Sequence, residues 1–239
     1  MSSMKYRPEI DGLRTIAVIP VILFHMGAKW VPGGFLGVDV FFVISGYLIT
    51  SIILKDYDRG SFNFTHFWLR RIRRILPALL VMLLTTSIAG YFIFYGQDIH
   101  DLGRQGVSAL LSFANIYLWR LAGNYWGQQA ENSVFLHTWS LSVEEQFYLF
   151  FPFFLIVLLK FYKKQLVSSI ATLVIISFLL FLYGSHGFPN ATFYLLPTRA
   201  WELGSGCLLA IVTHKYTLRT ENNVFLSSIG LLIIILSYA

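Results

Sequence analysis

The sequence predicts an all-α fold: a polytopic transmembrane helical bundle of about seven spans plus one re-entrant or interfacial helix, with eight spans as the alternative. Of the 239 residues, 56% are hydrophobic and only 13% are charged. An average soluble domain is about 45–50% apolar and about 25% charged. In addition, the apolar residues fall into long runs, and the basic residues cluster between those runs. Together these observations exclude a soluble enzyme, a disordered chain and a coiled coil.

Seven segments approach the length of about 20 residues that a bilayer-spanning helix needs. They are Thr15–Trp30, Phe35–Leu54, Ile75–Tyr95, Leu141–Phe161, Val167–Tyr183, Phe193–Thr213 and Val224–Ala239. We expect helices because a chain in lipid must satisfy its backbone hydrogen bonds internally. An eighth apolar stretch, Val107–Trp119, is shorter, and stretches of that length more often re-enter or lie in the interface.

The distribution of basic residues predicts the topology. The chain has 18 Lys and Arg against 12 Asp and Glu, and they cluster before the first span and after the second, fourth and sixth. With the N-terminus in the cytoplasm, seven spans place all four clusters inside, as the positive-inside rule expects. If Val107–Trp119 crossed the membrane, Lys160, Lys163 and Lys164 would fall outside. We therefore predict a multi-pass protein in which Val107–Trp119 does not cross.

The cysteine count and the last apolar segment limit the possible sites and the extent of the fold. The single cysteine, Cys207, excludes an internal disulfide framework and a cysteine-rich metal site, and we expect no metal. The last apolar segment reaches Ala239 with no polar flank and only sixteen residues, which is marginal for a span. We therefore expect the natural sequence to continue beyond it.

Arg14 and His25 are ionisable residues in or next to the first span, where charge is expensive at about 2.5–3.5 kcal/mol per residue. They are eleven residues apart, which on a helix is about 1100° of rotation and about 16 Å of rise, so both project from one face. His25 can serve as a base near neutral pH. The alternatives are a topology anchor for Arg14 and a hydrogen-bonded packing role for His25.

Four arginines precede the third predicted span. Arg70, Arg71, Arg73 and Arg74 form a dense cationic cluster, in which Arg71 and Arg74 share a helix face, as do Arg70 and Arg73. Guanidinium groups suit phosphate oxygens. The cluster can equally be a topology signal that attracts anionic lipid. Nucleic acid is not an expected partner, because no groove-reading element lies beside the cluster.

Carboxylates mark two more segments. Asp39 lies among small residues that permit close helix packing, and it can orient a histidine, pair with an arginine or make a structural hydrogen bond. His137, Ser142, Glu144 and Glu145 lie at the entry of the fourth span, where a serine followed by a glutamate resembles a capping box. A cap accounts for one serine and one glutamate, but leaves His137 and the second glutamate unexplained.

Arg199 and Glu202, three residues apart, are charged residues of the sixth predicted span. A mutual salt bridge is the commonest explanation for such a pair. Two functional classes fit the chain as a whole: a proton-coupled carrier, or a membrane enzyme with a phosphate-bearing cosubstrate. The arginine cluster favours the enzyme, and the repeated halves common in transporters are not seen.

Four segments, in order, resemble the acyltransferase family 3 membrane proteins, the bacterial O-antigen acetylase type. They are Tyr6–Arg14 followed by His25, Gly34–Tyr47, the arginine run Phe67–Pro77, and Trp139–Tyr148. The resemblance covers essentially the whole chain. It implies transfer of an acyl group, usually acetyl from acetyl-coenzyme A (acetyl-CoA), to a hydroxyl of a cell-envelope carbohydrate such as O-antigen, lipopolysaccharide, exopolysaccharide or a lipid-linked glycan. It also implies the bacterial cytoplasmic (inner) membrane.

The family's patterns fall on particular residues. Its Arg-x10-His pattern falls on Arg14 and His25, its Arg-x-x-Arg pattern falls best on Arg71 and Arg74, and its Ser-Val-Glu segment favours Glu144. In this scheme His25 is the general base or takes the acyl group first, and the arginines hold the coenzyme phosphates. Arg14 then binds the cosubstrate or stabilises the carbonyl oxygen, and Asp39 or Glu144 orients His25.

The resemblance also carries an expectation about completeness. Family members have about ten spans, and many add an extracytoplasmic domain, so residues 1–239 are expected to be the N-terminal part of a membrane-embedded acyltransferase domain with no soluble domain. The alternatives are a membrane carrier for an acyl donor or sugar without transfer chemistry, and an inactive truncated fragment.

Overall fold

The computed structural model describes residues 7–123, 130–215 and 221–239. Within those ranges the chain is all-helical, with ten α-helices and no strand. Their bounds are α1 Pro8–His25, α2 Gly37–Asp58, α3 Phe64–Ile93, α4 Gln97–Leu110, α5 Ala114–Ala122, α6 Thr138–Phe161, α7 Leu166–Gly187, α8 Pro189–Tyr194, α9 Leu196–Lys215 and α10 Glu221–Ser237. The predicted all-α class is therefore confirmed.

Four helical segments of the described chain are long and apolar enough to cross a membrane. They are Gly34–Asp58, Phe64–Ile93, Thr138–Phe161 and Lys163–Gly187, and they coincide with four of the seven predicted spans. The predicted count of seven or eight is not confirmed by this criterion. The α3 helix begins earlier than the predicted span because Asn63 caps it, its side-chain oxygen accepting the His66 backbone N–H at 3.0 Å.

The first predicted span, Thr15–Trp30, is shifted in the structure. The α1 helix ends at His25, because Gly27 adopts a left-handed backbone with φ of 80° and the Gly27 and Ala28 N–H groups turn back to the Phe24 and Leu23 carbonyls. This is a glycine-terminated helix end. His25 consequently lies in the last turn of α1 and not within a longer helix.

Two predicted segments are interrupted. Val107–Trp119 is not one helix: α4 and α5 are separated at Ser112, whose φ is 58°. Phe193–Thr213 divides into the end of α8 and most of α9, since Leu195 is extended and Pro197 lacks the N–H that a continuous helix would use. Both segments are continuous in a hydropathy profile, because the profile averages the apolar character of the side chains and does not respond to a break in the helical backbone.

The described chain forms two compact units. Unit 1 comprises the described residues of Met1–Leu54, Val167–Val174 and Glu202–Ala239, and unit 2 comprises those of Lys55–Leu166 and Ile175–Trp201. In unit 1, α2 packs closely on two helices through glycines. A methyl group at Gly37 would overlap the Ala17 carbonyl of α1, and one at Gly46 would overlap the Leu203 carbonyl of α9. Small residues permit this backbone approach without a side chain between the helices.

Aromatic contacts join α3 to α6 in unit 2. The Phe64 and Phe153 rings stack with centroids 4.5 Å apart, and the Trp68 indole N–H donates to the Tyr148 carbonyl at 3.2 Å. Further along, α3 packs on α4 and on the chain before α6 through a buried apolar cluster. Its members are Leu79, Leu83, Leu102, Ala109, Ala114 and Phe135. This packing fixes the helices that carry the arginines and glutamates.

Candidate active site

Arg14 and His25 lie on one uninterrupted helix. The α1 helix continues through Pro20, so the eleven-residue spacing places both side chains on the same face, with about 16 Å of rise between their positions. Arg14 is half-buried, and its guanidinium carbon lies 5.7 Å from the Phe41 ring centroid on α2. His25 is exposed to the surroundings of the protein.

The hydrogen bond of His25 determines its tautomer. Nδ1 lies 2.8 Å from the Val21 carbonyl oxygen, one turn earlier on the same helix. A carbonyl oxygen only accepts, so Nδ1 carries the hydrogen and Nε2 of the neutral ring carries the lone pair. Nε2 is therefore the atom of His25 that can take a proton from a substrate.

Asp39 lies in the first turn of α2, the helix that packs against α1. The partial positive charge of a helix N-terminus stabilises a carboxylate there. Asp39 is half-buried and stands two residues before Phe41, the ring beneath Arg14. Unit 1 thus brings Arg14 and Asp39 onto adjoining helices, with His25 at the far end of α1.

Arg7 joins the start of α1 to the middle of α2. Its Nε bonds the Glu9 carboxylate at 2.6 Å, and another guanidinium nitrogen donates to the Tyr47 hydroxyl at 2.9 Å. The bond from Arg7 holds the pKa of Glu9 below its usual value. Sequence reasoning identified Arg7 only as a topology charge and missed its contact with α2.

The four arginines of α3 divide by environment. Arg71 is buried with 8% of its surface exposed, whereas Arg70, Arg73 and Arg74 are exposed. Arg70 forms a salt bridge with Asp56 at 2.8 Å. Arg71 and Arg74 therefore share a helical spacing but not an environment.

Tyr148 of α6 lies between Arg71 and Glu144. The guanidinium carbon of Arg71 lies 4.6 Å from the Tyr148 ring centroid and 5.8 Å from that of Phe67. The Tyr148 hydroxyl donates to the Glu144 carboxylate, one turn earlier on α6. Glu144 is only 6% exposed, and a buried carboxylate needs such a donor.

Glu145, the neighbour of Glu144, has a different environment. It is half-buried, and within the described ranges its Oε1 atom is buried with no hydrogen-bond donor. The preference for Glu144 over Glu145 came from the family resemblance. The structure distinguishes the two glutamates, because the Tyr148 hydroxyl donates its hydrogen bond to Glu144 and not to Glu145.

The capping-box alternative for the start of α6 is wrong. The helix begins at Thr138, its N-cap His137 makes no capping bond through its side chain, and Ser142 is already in the second turn. The Ser142 hydroxyl donates to the Thr138 carbonyl at 3.1 Å and accepts the Ala114 N–H at 3.2 Å. Ser142 therefore holds the start of α5, and His137 is exposed at the helix entry.

A buried amide pair fixes the break between α4 and α5, and sequence reasoning missed it. The Gln146 side-chain amide donates to the Ser112 carbonyl at 2.9 Å and to the Asn115 side-chain oxygen at 2.8 Å. The Asn115 amide donates to the Tyr194 carbonyl at 3.1 Å, and Asn115 is fully buried. The sequence offers one sign of this pair, namely that Asn115 and Gln146 are polar residues within apolar segments.

Arg199 has a structural partner at the second break. Its Nε donates to the Phe193 carbonyl at 3.1 Å, and the Thr198 hydroxyl lies 2.9 Å from both the Thr192 and the Leu195 carbonyl oxygens. These carbonyls are released where α8 ends, so Thr198 and Arg199 satisfy them. The Arg199 guanidinium also lies against aromatic rings, 5.1 Å from the Phe193 centroid.

Glu202, the predicted partner of Arg199, is fully buried one turn further along α9. The predicted mutual salt bridge stays a prediction.

Comparison with known proteins identifies a matching family and several similar proteins. Residues 7–239 match the family described as Acyltransferase domain. The chain is 40% identical to Peptidoglycan O-acetyltransferase OatA of Listeria monocytogenes over 215 residues, covering 88% of this chain and 34% of that protein. It is 39% identical to YrhL of Bacillus subtilis, provisionally named a peptidoglycan O-acetyltransferase, covering 87% and 33% respectively.

A provisionally named O-acetyltransferase of Staphylococcus aureus is 37% identical over 226 residues, covering 91% of this chain and 37% of that protein. The chain thus spans about a third of the length of these curated relatives. No solved structure matches it significantly.

Proposed function

The chain belongs to the acyltransferase domain family, and from this premise we propose that it transfers an acetyl group from acetyl-CoA to a hydroxyl of a cell-envelope carbohydrate. The observation that carries the proposal is the hydrogen bond between His25 and Val21. Nδ1 of His25 is engaged by the Val21 carbonyl, which makes Nε2 a proton acceptor on the helix face that also carries Arg14.

His25 performs the proton transfers of the reaction. Neutral Nε2 accepts the proton of the acceptor hydroxyl as the oxygen attacks the thioester carbonyl carbon. A carbon–oxygen bond forms, the carbon–sulfur bond breaks, and the imidazolium returns the proton to the leaving thiolate. In the alternative order, Nε2 attacks the thioester carbon and the carbon–sulfur bond breaks, releasing the thiolate. The acceptor hydroxyl then attacks the acyl-imidazole, the carbon–nitrogen bond breaks, and the hydroxyl proton passes to the thiolate.

Arg14 and Asp39 support this step. The Arg14 guanidinium lies about 16 Å of helix rise from His25 and therefore holds the cosubstrate away from the reacting carbonyl. Asp39 lies on the helix packed against the Arg14 end of α1 and is our candidate for positioning the Arg14 guanidinium, because Nδ1 of His25 is already held by the Val21 carbonyl. Glu144 is the second carboxylate that we assign to the transfer.

The arginines of α3 suit the coenzyme. Arg73 and Arg74 are exposed, so their guanidinium forks are available to phosphate oxygens, which they bind with charge-assisted hydrogen bonds. Arg71 supplies a buried cation on the same helix. Arg70 is already paired with Asp56 and contributes charge to the cluster.

The topology that we propose has seven spans in the bacterial cytoplasmic membrane, with the N-terminus and the arginines of α3 on the cytoplasmic side. The broken pair α4–α5 does not cross. Because Cys207 is the only cysteine and is buried, single cysteines placed at Arg73 and at Phe113 can report sidedness. Labelling of Arg73→Cys only from the inside supports the orientation, and labelling only from the outside overturns it.

The names of the relatives support an order in which to test acceptors. Two of them carry peptidoglycan in their names, which makes peptidoglycan the first acceptor to test, with lipopolysaccharide O-antigen, exopolysaccharide and lipid-linked glycans next. Protein reconstituted in lipid is supplied with acetyl-CoA labelled in the acetyl group and with each glycan. Label on a carbohydrate supports the proposal. Label that crosses the bilayer but joins no carbohydrate would instead identify a carrier.

A further inference from the structure

Tyr148 makes three separate contacts in the interior of unit 2. Its ring lies under the Arg71 guanidinium at 4.6 Å, its hydroxyl donates to the Glu144 carboxylate, and its carbonyl accepts the Trp68 indole N–H. Only 2% of Tyr148 is exposed. Its main chain is fixed to α3 while its side chain links a cation to a carboxylate.

We propose that Tyr148 is a positioning residue that connects Arg71, a coenzyme-binding arginine, to Glu144, a carboxylate of the transfer. This inference rests on the proposed acetyl transfer. The Tyr148 hydroxyl fixes one oxygen of Glu144, and the Tyr148 ring fixes the plane against which the Arg71 guanidinium lies. One side chain thereby holds both charged groups in place.

The physical basis is the cost of burying charge. A carboxylate that is 6% exposed requires a donor, because an unpaired buried polar group is strongly unfavourable. A guanidinium over an aromatic face gains a cation–π interaction, which is strongest where water is excluded. A cation over the phenol ring also draws electron density from it and strengthens the hydroxyl as a donor.

The two contacts use different parts of Tyr148, so they can be removed separately. Tyr148→Phe keeps the ring beneath Arg71 and removes the hydroxyl from Glu144. Tyr148→Leu removes both. Phe153→Leu is the matched control, because it removes aromatic contacts of α6 with Phe64 and Trp68 of α3 and leaves the Tyr148 ring and hydroxyl, with their contacts to Arg71 and Glu144, in place.

The kinetics of acetyl transfer with varied acetyl-CoA separate these roles. We expect Tyr148→Phe to lower kcat about tenfold, as for loss of a hydrogen bond to a charged group, with KM for acetyl-CoA within about twofold. We expect Tyr148→Leu to lower kcat similarly and also to raise KM about fivefold through loss of the cation–π contact. Phe153→Leu should leave both constants within about twofold of wild type.

A double variant tests whether Tyr148 acts through Glu144. If the hydroxyl works only by holding that carboxylate, Tyr148→Phe added to Glu144→Gln should cause little further loss of kcat. Fully additive losses would overturn the inference, as would wild-type kcat in Tyr148→Phe. Equal effects of Tyr148→Phe and Phe153→Leu would also overturn it, since they would show a packing role. If the wild-type chain transfers no label, the proposed function itself fails, an outcome that differs from an active wild type with an unaffected Tyr148→Phe.

Discussion

The region of His25 in unit 1 and the region of Glu144 in unit 2 hold their ionisable groups in opposite ways. His25 is exposed and makes its hydrogen bond within its own helix, to Val21. Glu144 is buried and depends on Tyr148, which in turn contacts Arg71 and Trp68 of another helix. A side chain whose hydrogen bond lies within its own helix can be removed without disturbing the packing between helices. A side chain whose partner also contacts a second helix cannot be removed without disturbing that packing.

The difference predicts which substitutions separate chemistry from stability. Changes at His25 should alter the rate of transfer and leave the fold intact. Changes around Glu144 and the buried amides should alter the fold as well.

His25→Ala should give the largest loss, about 10²- to 10⁴-fold in kcat, the range expected for removal of a general base. The thermal midpoint should stay close to wild type because His25 is exposed. The acetyl content of envelope glycan, measured in cells at matched protein level, checks the rate. Full acetylation with His25→Ala would remove His25 from the mechanism.

Arg71→Ala and Arg74→Ala should affect different kinetic constants. Arg74→Ala should raise KM for acetyl-CoA about tenfold with kcat retained, since one exposed charge-assisted contact is lost. Arg71→Ala should raise KM and also lower kcat and the thermal midpoint, because Arg71 is buried against Tyr148.

Arg104→Ala is the charge-matched control for these two arginine variants. Arg104 is an exposed arginine whose contact with Asp101 is 3.6 Å long, so its loss should leave KM unchanged. Identical effects of Arg71→Ala and Arg74→Ala would refute the division of the cluster into buried and exposed members.

Asn115→Ala should reduce the free energy of unfolding by about 1–3 kcal/mol. It leaves the Tyr194 carbonyl without its donor and the Gln146 amide without one of its acceptors. Asn190→Ala removes a comparable amide bond, to the Ala122 carbonyl at 3.1 Å, but at an exposed position, and should cost less. Thermal unfolding in detergent compares the two, and equal midpoints would argue against a special role for the buried amide pair.

Glu9→Gln should have the smallest effect, and that effect should depend on pH. The folded protein lowers the pKa of Glu9 through the bond from Arg7. The stabilisation is therefore complete above the ordinary pKa of a glutamate and is lost as pH falls through the lowered value. The thermal midpoints of wild type and Glu9→Gln should differ slightly at pH 7 and converge at acidic pH. Divergence on acidification would contradict the sign.

The sequence predicted the parts of the fold that depend on composition. Long apolar runs located α2, α3, α6 and α7, because a membrane helix is specified by average hydrophobicity over about 20 residues. The breaks at Ser112 and Leu195 were not predicted. They are stabilised by side chains distant in sequence or by local carbonyl capping, such as Gln146 on the Ser112 carbonyl, and neither effect changes hydropathy.

The site could be predicted by residue type but not by environment. Spacing placed Arg14 and His25 on one face, and α1 is continuous between them. Spacing also paired Arg71 with Arg74, yet only Arg71 is buried, because α6 packs on that part of α3. The sequence pointed to Tyr148 only as the last residue of the segment Trp139–Tyr148. A buried glutamate requires a hydrogen-bond donor, but the sequence does not identify that donor, because the choice depends on how the helices pack.

Binding and transfer measured on one His25→Ala sample test whether His25 performs the chemical step while the arginines of α3 bind the cosubstrate. The affinity for acetyl-CoA and the rate of label transfer to glycan are both determined in lipid. We predict wild-type affinity with transfer reduced at least 10²-fold. Transfer at the wild-type rate, or affinity lost together with transfer, would contradict the claim.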